Sequence, residues 1–459
     1  MTRRRQVQLL LWSYFWLLIF EGALRKWVFP GFSNQLLLIR DPIAIWAIVA
    51  GAPFLTRSRW TAWVATTWII GILGTIFALF FGHGDVVTAL FGARVFCFHI
   101  PLIFLFSLVF DQDDVWNFIK ALAITAIPMT FLAAAQYSLP QDHLVNRAPG
   151  GMEGGGFSGA LGRFRPPGTF SFINGLVEFY GLASAAVVAI FLAGKPPLPR
   201  WIYASLLAII VVLPISISRS LLYKYIINGI MASFAAASSL RNLVAAIAFT
   251  LILLAASWAT SHLGTVQDAR EAFLARWEEA TEMEGQGQGA LFALQQRTQS
   301  GTLDEIKRAL EQPIFGHGIG LGTNVGAVRV SGFQDFLVSE SAWGNLIGEL
   351  GPLLGGLALA FRIGLVLLMI QLMLKELRKG NTLPTILSGV AIIAVLFGTT
   401  SQPTSLGFVV LCSGLMLAAC NSPKIGLFAS DGADTSQQQD SSWPENFAGV
   451  DSSEPKHYS

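Results

Sequence analysis

The stretch GRFRPPGTFSFINGLVEFYGLASAAVVAIFLAG, residues 162–194, places Arg163 and Arg165 directly before an apolar run that starts near Ile173. A run of about 20 apolar residues is what a helix needs to cross roughly 30 Å of hydrocarbon. Similar runs recur along the chain. Of 459 residues, 53% are hydrophobic and 13% charged, against roughly 25% charged in a soluble domain. The composition therefore reads as an all-α polytopic membrane protein. A net charge of +2 gives no footprint for a nucleic-acid partner. Cys97, Cys412 and Cys420 fall in apolar runs and read as membrane-core residues, not as a disulfide framework or metal site.

Hydropathy predicts about twelve spans, at 8–28, 35–55, 60–81, 87–110, 116–137, 173–194, 201–218, 221–238, 243–260, 341–374, 384–401 and 404–421. The tenth is too long for one upright helix and implies an interfacial start or strong tilt. The basic start and first apolar stretch read as a retained helix, since no small-residue cleavage site follows. Lys and Arg in the short loops set orientation. Arg3–Arg5, Arg57 and Arg59, Lys195 and Arg200, Arg241, and Lys375, Arg378 and Lys379 all fall on one side if the N-terminus is cytoplasmic. The acidic Asp111–Asp114 loop is the exception. An even count puts the C-terminus inside too. Residues 1–428 then form the membrane domain, and 429–459, rich in Ser, Asp, Gln and Gly, a disordered tail.

Two sizeable loops fall on the outer side, at about 138–172 and 261–340. The first is Gly- and Pro-dense, with no helical period. The second opens with an amphipathic pattern in which Phe273, Leu274 and Trp277 share a face. A second helix is expected from Ala290 to Glu311, then PIFGHGIGLGTN, residues 313–324, and SESAWGNLIGELGPLLGG, residues 339–356.

Ionisable groups at membrane depth default to functional hypotheses. Glu21 and Arg25 stand four apart and can pair on one helix face; with Lys26 and Trp27 they also read as an interfacial belt. Asp41 before Pro42 reads as a helix N-cap followed by proline at the first helical position. Arg94, inside the fourth span, calls for a polar cavity or an acidic partner. Arg219, between Ser218 and Ser220, offers the planar donor fork that matches phosphate. Arg163 and Arg165 sit on a proline-stiffened loop. Gly168 admits close backbone approach, and Thr169 is placed to cap the next helix, whose N-terminus attracts anions. The glycines at 316, 318, 320 and 322 follow no strand and open no βαβ unit. They read as a tight turn above a cavity, not a dinucleotide loop. His317, within that turn, reads as a surface residue or a substrate contact. Glu340 can accept a proton from a sugar hydroxyl or simply favour a helix N-terminus.

Together these motifs resemble the bacterial O-antigen polymerase and O-antigen ligase superfamily, in its exopolysaccharide-polymerase branch. The resemblance covers most of the membrane region. It rests on Arg165 with Gly168-Thr169-Phe170 and Asn174, on Ser218-Arg219-Ser220, and on Pro313–Gly322 with Arg297 upstream. Glu340-Ser341-Ala342-Trp343 running to Glu349-Leu350-Gly351, EGALRKW at 21–27 and RDP at 40–42 complete it. Where ligases have histidine, this chain has Glu340, which favours a polymerase.

The resemblance implies a metal-independent, cofactor-free inverting glycosyltransferase acting on the outer face of the bacterial inner membrane. It would join polyprenyl-pyrophosphate-linked repeat units into exopolysaccharide or O-antigen. Arg165, Arg219 and Glu340 would be catalytic, the arginines holding the pyrophosphate and Glu340 the incoming hydroxyl. Arg163, Arg94, Arg297, Thr169 and His317 would bind substrate. Partners are the lipid-linked donor and acceptor and membrane lipids, with a chain-length regulator or export machinery as the candidate protein partner. The alternatives are a ligase moving glycan to a lipid or protein and, from another class, a lipid-linked glycan transporter. Against the transporter stand the lopsided loops and the lack of an internal repeat.

Overall fold

A computed structural model describes residues 2–152, 157–193, 198–237, 243–244, 251, 264–285, 304, 307, 311–332 and 341–421. The chain divides into Met1–Leu427 and Phe428–Ser459, and every described residue belongs to the first unit. The expected second loop helix, Ala290–Glu311, most of the expected ninth span, and the tail fall almost wholly outside the described residues.

The protein is helical and multi-pass. Among the described residues, eight helical segments are long and apolar enough to cross a membrane, including Arg3–Val28, Gln35–Thr56, Val86–Val109 and Ala342–Arg378. Named in chain order, the helices are α1 (Arg3–Ala23), α2 (Asp41–Thr56), α3 (Thr61–Phe80), α4 (Val86–Arg94), α5 (Leu102–Val109), α6 (Gln112–Ser138) and α7 (Ile173–Ala193). There follow α8 (Arg200–Ile215), α9 (Arg219–Ala236), α10 (Gly264–Gly285), α11 (Asn324–Ser331), α12 (Ala342–Arg378), α13 (Leu383–Phe397) and α14 (Pro403–Cys420). Two of the expected spans, α8 and α13, are short apolar helices.

Helix α14 is the hub. It is buried on all sides from Ser405 to Cys420 and packs on α13, α5 and α7. A helix apolar all round belongs inside a bundle. Helix α7 is its counterpart, contacting α6, α9 and α13. Small residues let these helices close up. A Cβ at Gly414 would meet the Phe106 ring at 2.8 Å, and one at Gly181 would meet the Lys224 stem at 2.7 Å.

Several expectations change. The tenth span is not one tilted helix. Gly351 (φ 71°, ψ 175°) breaks α12 before Pro352. Proline lacks an N–H and disfavours helical geometry in the residue before it, so the Gly-Pro pair ends one helix and starts another. The first loop is not wholly irregular: Phe157–Ser158 (β1) and Phe164–Arg165 (β2) pair antiparallel. In α10 the buried positions are Val266, Ala269 and Ala272, while Leu274 is exposed. Small side chains let α10 approach α8 closely. The acidic 111–114 turn is also accounted for. Asp111 and Asp114 form a capping box on α6. Arg4 reaches Asp111 at 3.3 Å and Gln8 reaches Asp114 at 2.7 Å, so the basic N-terminus and the acidic turn share one end of the bundle.

Candidate functional site

The geometry begins at Gly168. Its φ of 62° is costly for any other residue, and a Cβ there would stand 2.8 Å from Met129 Sδ. Both its backbone groups are taken. Its N–H donates to Gln136 Oε1 at 2.7 Å, and its carbonyl accepts from Lys26 Nζ at 2.6 Å and Gln136 Nε2 at 3.1 Å. Lys26 also donates to the Phe170 carbonyl at 2.9 Å. Glycine here answers a left-handed turn stitched between α1 and α6, not a ligand's approach. Thr169 does not cap α7. It is buried, and its hydroxyl donates to the Ile19 carbonyl at 2.6 Å. Arg25 donates to Ser171 Oγ at 2.8 Å and to the Ser33 carbonyl at 2.8 Å. The loop before α7 is therefore fixed on three sides.

That scaffold separates the two arginines. Arg163 points outward, pairing with Asp268 at 3.0 Å with 41% of its side chain exposed. Arg165 lines a cleft of about 360 Å³ with Lys26, Arg147, Gln136, Asn146 and Ser171. No carboxylate is among its lining residues. The Nε of Arg165 is buried without a hydrogen-bond partner among the described residues. Burial, then the guanidiniums of Arg276 and Arg219, push its pKa below the ordinary arginine value. Arg276 comes from α10 and Arg219 from the first turn of α9. The turn before α9 meets the hairpin where Ile217, at φ 46°, packs on Gly159. Arg276 also pairs with Glu279 at 3.1 Å, which offsets part of its repulsion of Arg165. A phosphate dianion would turn that repulsion into attraction.

A second cleft, of about 350 Å³, lies against the Gly-rich loop. It is lined by Thr323, Asn345, Glu349, Thr399, Thr400 and Ser401, with Phe96 beside them. Gly316, Gly318 and Gly320 all have positive φ, which lets the loop fold over the break in α12. His317 N–H donates to the Gly348 carbonyl at 2.9 Å and Gly318 N–H to the Glu349 carbonyl at 3.0 Å. The Gly322 N–H donates to Glu349 Oε1 at 2.6 Å. The imidazole of His317 is exposed and meets Gln312 at 2.9 Å.

Arg94 belongs to neither cleft. It is buried and grips Asp41 with one nitrogen, at 2.7 and 2.9 Å. Asp41 starts α2 and does not cap it; its carboxylate also meets His99 at 2.9 Å. His99 meets Tyr14 at 2.8 Å, Arg40 donates to Tyr14 at 3.3 Å and to Glu21 at 3.0 Å, and Glu21 stands 3.7 Å from Arg25. This polar chain runs from Ser171, in the first cleft, to Arg94, whose neighbours Gly92 and Val95 line the second. Two π-helical turns, Leu24–Val28 and Val95–His99, carry Arg25, Lys26 and His99, and such turns cluster at functional sites.

Of the residues expected in the site, Arg165 and Arg219 are brought together. Arg163, Arg94, Thr169 and His317 are turned to the partners named above. Arg297 and Glu340 lie outside the described residues. Sequence reasoning took Lys26 only as part of an interfacial belt and did not single out Arg147 or Gln136, which the fold gathers at the cleft, nor Arg276, whose charge acts on Arg165. No family model, no curated protein and no solved structure matches the chain.

Proposed function

We propose that the protein is an integral-membrane glycosyltransferase of the O-antigen polymerase and ligase kind. In this reading it joins polyprenyl-pyrophosphate-linked repeat units into a longer glycan. It sits in the bacterial inner membrane with twelve spans, both termini cytoplasmic, and loops 138–172 and 261–340 on the outer side. One observation carries the reading: Arg165, whose Nε is buried with no hydrogen-bond partner among the described residues, lines a cleft with no carboxylate among its described lining residues and lies within the field of Arg219 and Arg276. A buried guanidinium nitrogen left without an acceptor is unfavourable unless a ligand supplies one.

The chemistry follows. An acceptor hydroxyl attacks the anomeric carbon of the donor, the carbon–oxygen bond to pyrophosphate breaks, and its electron pair leaves with the pyrophosphate. Pre-placed guanidiniums stabilise that developing charge, which is the largest catalytic term in such sites. Glu340, adjacent in sequence to α12, takes the hydroxyl proton.

The test is an assay of the purified protein with a polyprenyl-pyrophosphate oligosaccharide. Longer lipid-linked chains are expected. Transfer to another lipid or protein would mean a ligase. No bond formation would overturn the enzyme reading and favour a transporter.

A further inference from the structure

The second cleft has a chemistry opposite to the first. Thr399, Thr400, Ser401, the Asn345 amide and the Glu349 carboxylate line it beside Phe96, with Thr323 held as the cap of α11. No Lys or Arg is among its lining residues. The polar groups are held from behind. Asn345 donates to Ser401 Oγ at 2.9 Å. Arg362, on the next part of α12, donates to Thr400 Oγ1 at 3.0 Å and to the Gly398 carbonyl at 3.2 Å. Glu349 is fixed by the Gly322 N–H. Asn345 is 4% exposed, and its Oδ1 has no hydrogen-bond partner among the described residues.

Such a lining suits neither a phosphate, which the carboxylate would repel, nor an acyl chain, which would strand the hydroxyls. It suits a neutral polyhydroxylated ligand. Each sugar hydroxyl both donates and accepts, as threonine and serine hydroxyls do, and a ring face can lie on an aromatic side chain. Chain direction puts both clefts at the same end of the bundle. That end holds the start of α4, α7, α9, α12 and α14 and the end of α3 and α13.

We infer that the second cleft is a binding site for a neutral sugar residue, the accepting end of the glycan, with Asn345 and Glu349 as its hydrogen-bonding core. Its assignment to the accepting glycan rests on the polymerase reading; the sugar-binding claim does not.

The test uses the full chain in lipid nanodiscs. The probe is a neutral, phosphate-free oligosaccharide from the host's own surface polysaccharide, with a diazirine at its reducing end. Photolabelling is expected within residues 342–350 or 398–402, competed by untagged oligosaccharide. It should fall about tenfold in Asn345→Ala and in Thr400→Val, and stay unchanged in Arg165→Ala. A monodisperse elution profile for each variant keeps misfolding apart from lost binding. No label, label elsewhere, or label undiminished in both folded cleft variants overturns the site. If the wild type labels as expected yet builds no longer chains, the sugar site stands and the polymerase reading falls. If it builds longer chains but labels elsewhere, the polymerase reading stands and the site falls.

Discussion

Lys26, buried within a π-helical turn, holds Gly168, 142 positions later, by a 2.6 Å hydrogen bond from its Nζ to the carbonyl. This contact fixes where the loop bearing Arg165 leaves the bundle. Replacing Lys26 by methionine strips a donor from two buried carbonyls; Gly168 keeps Gln136 Nε2, so the Phe170 carbonyl is the group left unmet, at about 1–3 kcal/mol. Lys26→Met is expected to lower the thermal midpoint and to raise the protease sensitivity of the 138–172 segment. An unchanged cleavage pattern there would show that the loop is held some other way.

The two arginines of the opening stretch are expected to behave differently. Arg165→Ala and Arg219→Ala should abolish chain extension while expression persists. Arg163→Ala removes an exposed pair with Asp268, worth about 0–1 kcal/mol, and should keep most activity. Equal loss in all three variants would contradict the separation into one outward and one inward arginine.

Gly168→Ala forces a side chain into a left-handed turn and towards Met129 and Leu176. Strain of about 1–3 kcal/mol is expected. The reading is a larger drop in thermal midpoint for Gly168→Ala than for Gly150→Ala, where φ is also positive but no atom stands within 4 Å. Equal shifts would mean that backbone strain alone, not crowding, governs the site.

Arg40 is fully buried and shared by Glu21, Tyr14 and the Pro403 carbonyl. Removing one partner of a buried pair costs about 3–5 kcal/mol, because the other charge is left unmet. Arg40→Met should therefore destabilise more than Arg40→Met with Glu21→Leu. A double-mutant cycle on the thermal midpoint measures the difference, and additive losses would show that the pair is not coupled.

Asp85 caps α4, and Arg329 of α11 bonds to it at 2.9 Å. That bond chiefly holds the Asp85 pKa down at about 2. A depressed carboxylate pKa adds stability above its unfolded value, about 3.9. The added stability is lost as pH falls through about 2. Hydrogen exchange over residues 324–331 should thus be steady from neutral pH to about 4 and speed up below it, beyond the intrinsic trend. Arg329→Ala should remove that extra acceleration.

The long apolar runs made the spans legible. The residues alone left Arg163 and Arg165 equal; the motif resemblance favoured Arg165, and the Ser-Arg-Ser turn drew attention to Arg219. The break in α12 was also written in the chain, as Gly351-Pro352, but apolar length hid it: hydropathy counts side chains and ignores a missing backbone donor. Lys26 beside Trp27 has the composition of an interfacial belt, and nothing local tells a snorkelling ammonium from one turned inward onto a loop far along the chain. Asp41 before Pro42 fits a cap by sequence, yet Arg94 and His99 claim its carboxylate. Such contacts join residues dozens of positions apart, and no local pattern encodes them.

The loop over α12 also constrains how the protein is made. The broken helix leaves the Gly348 and Glu349 carbonyls to accept from His317 and Gly318, and open carbonyls are not tolerated against lipid. The donors emerge from the ribosome before the acceptors, since residues 313–323 precede α12. The segment must therefore wait, uncommitted, until α12 has entered the bilayer. Closure of this end cannot precede the making of α12, and a ribosome-stalled chain ending before Gly348 would hold the loop without its acceptors.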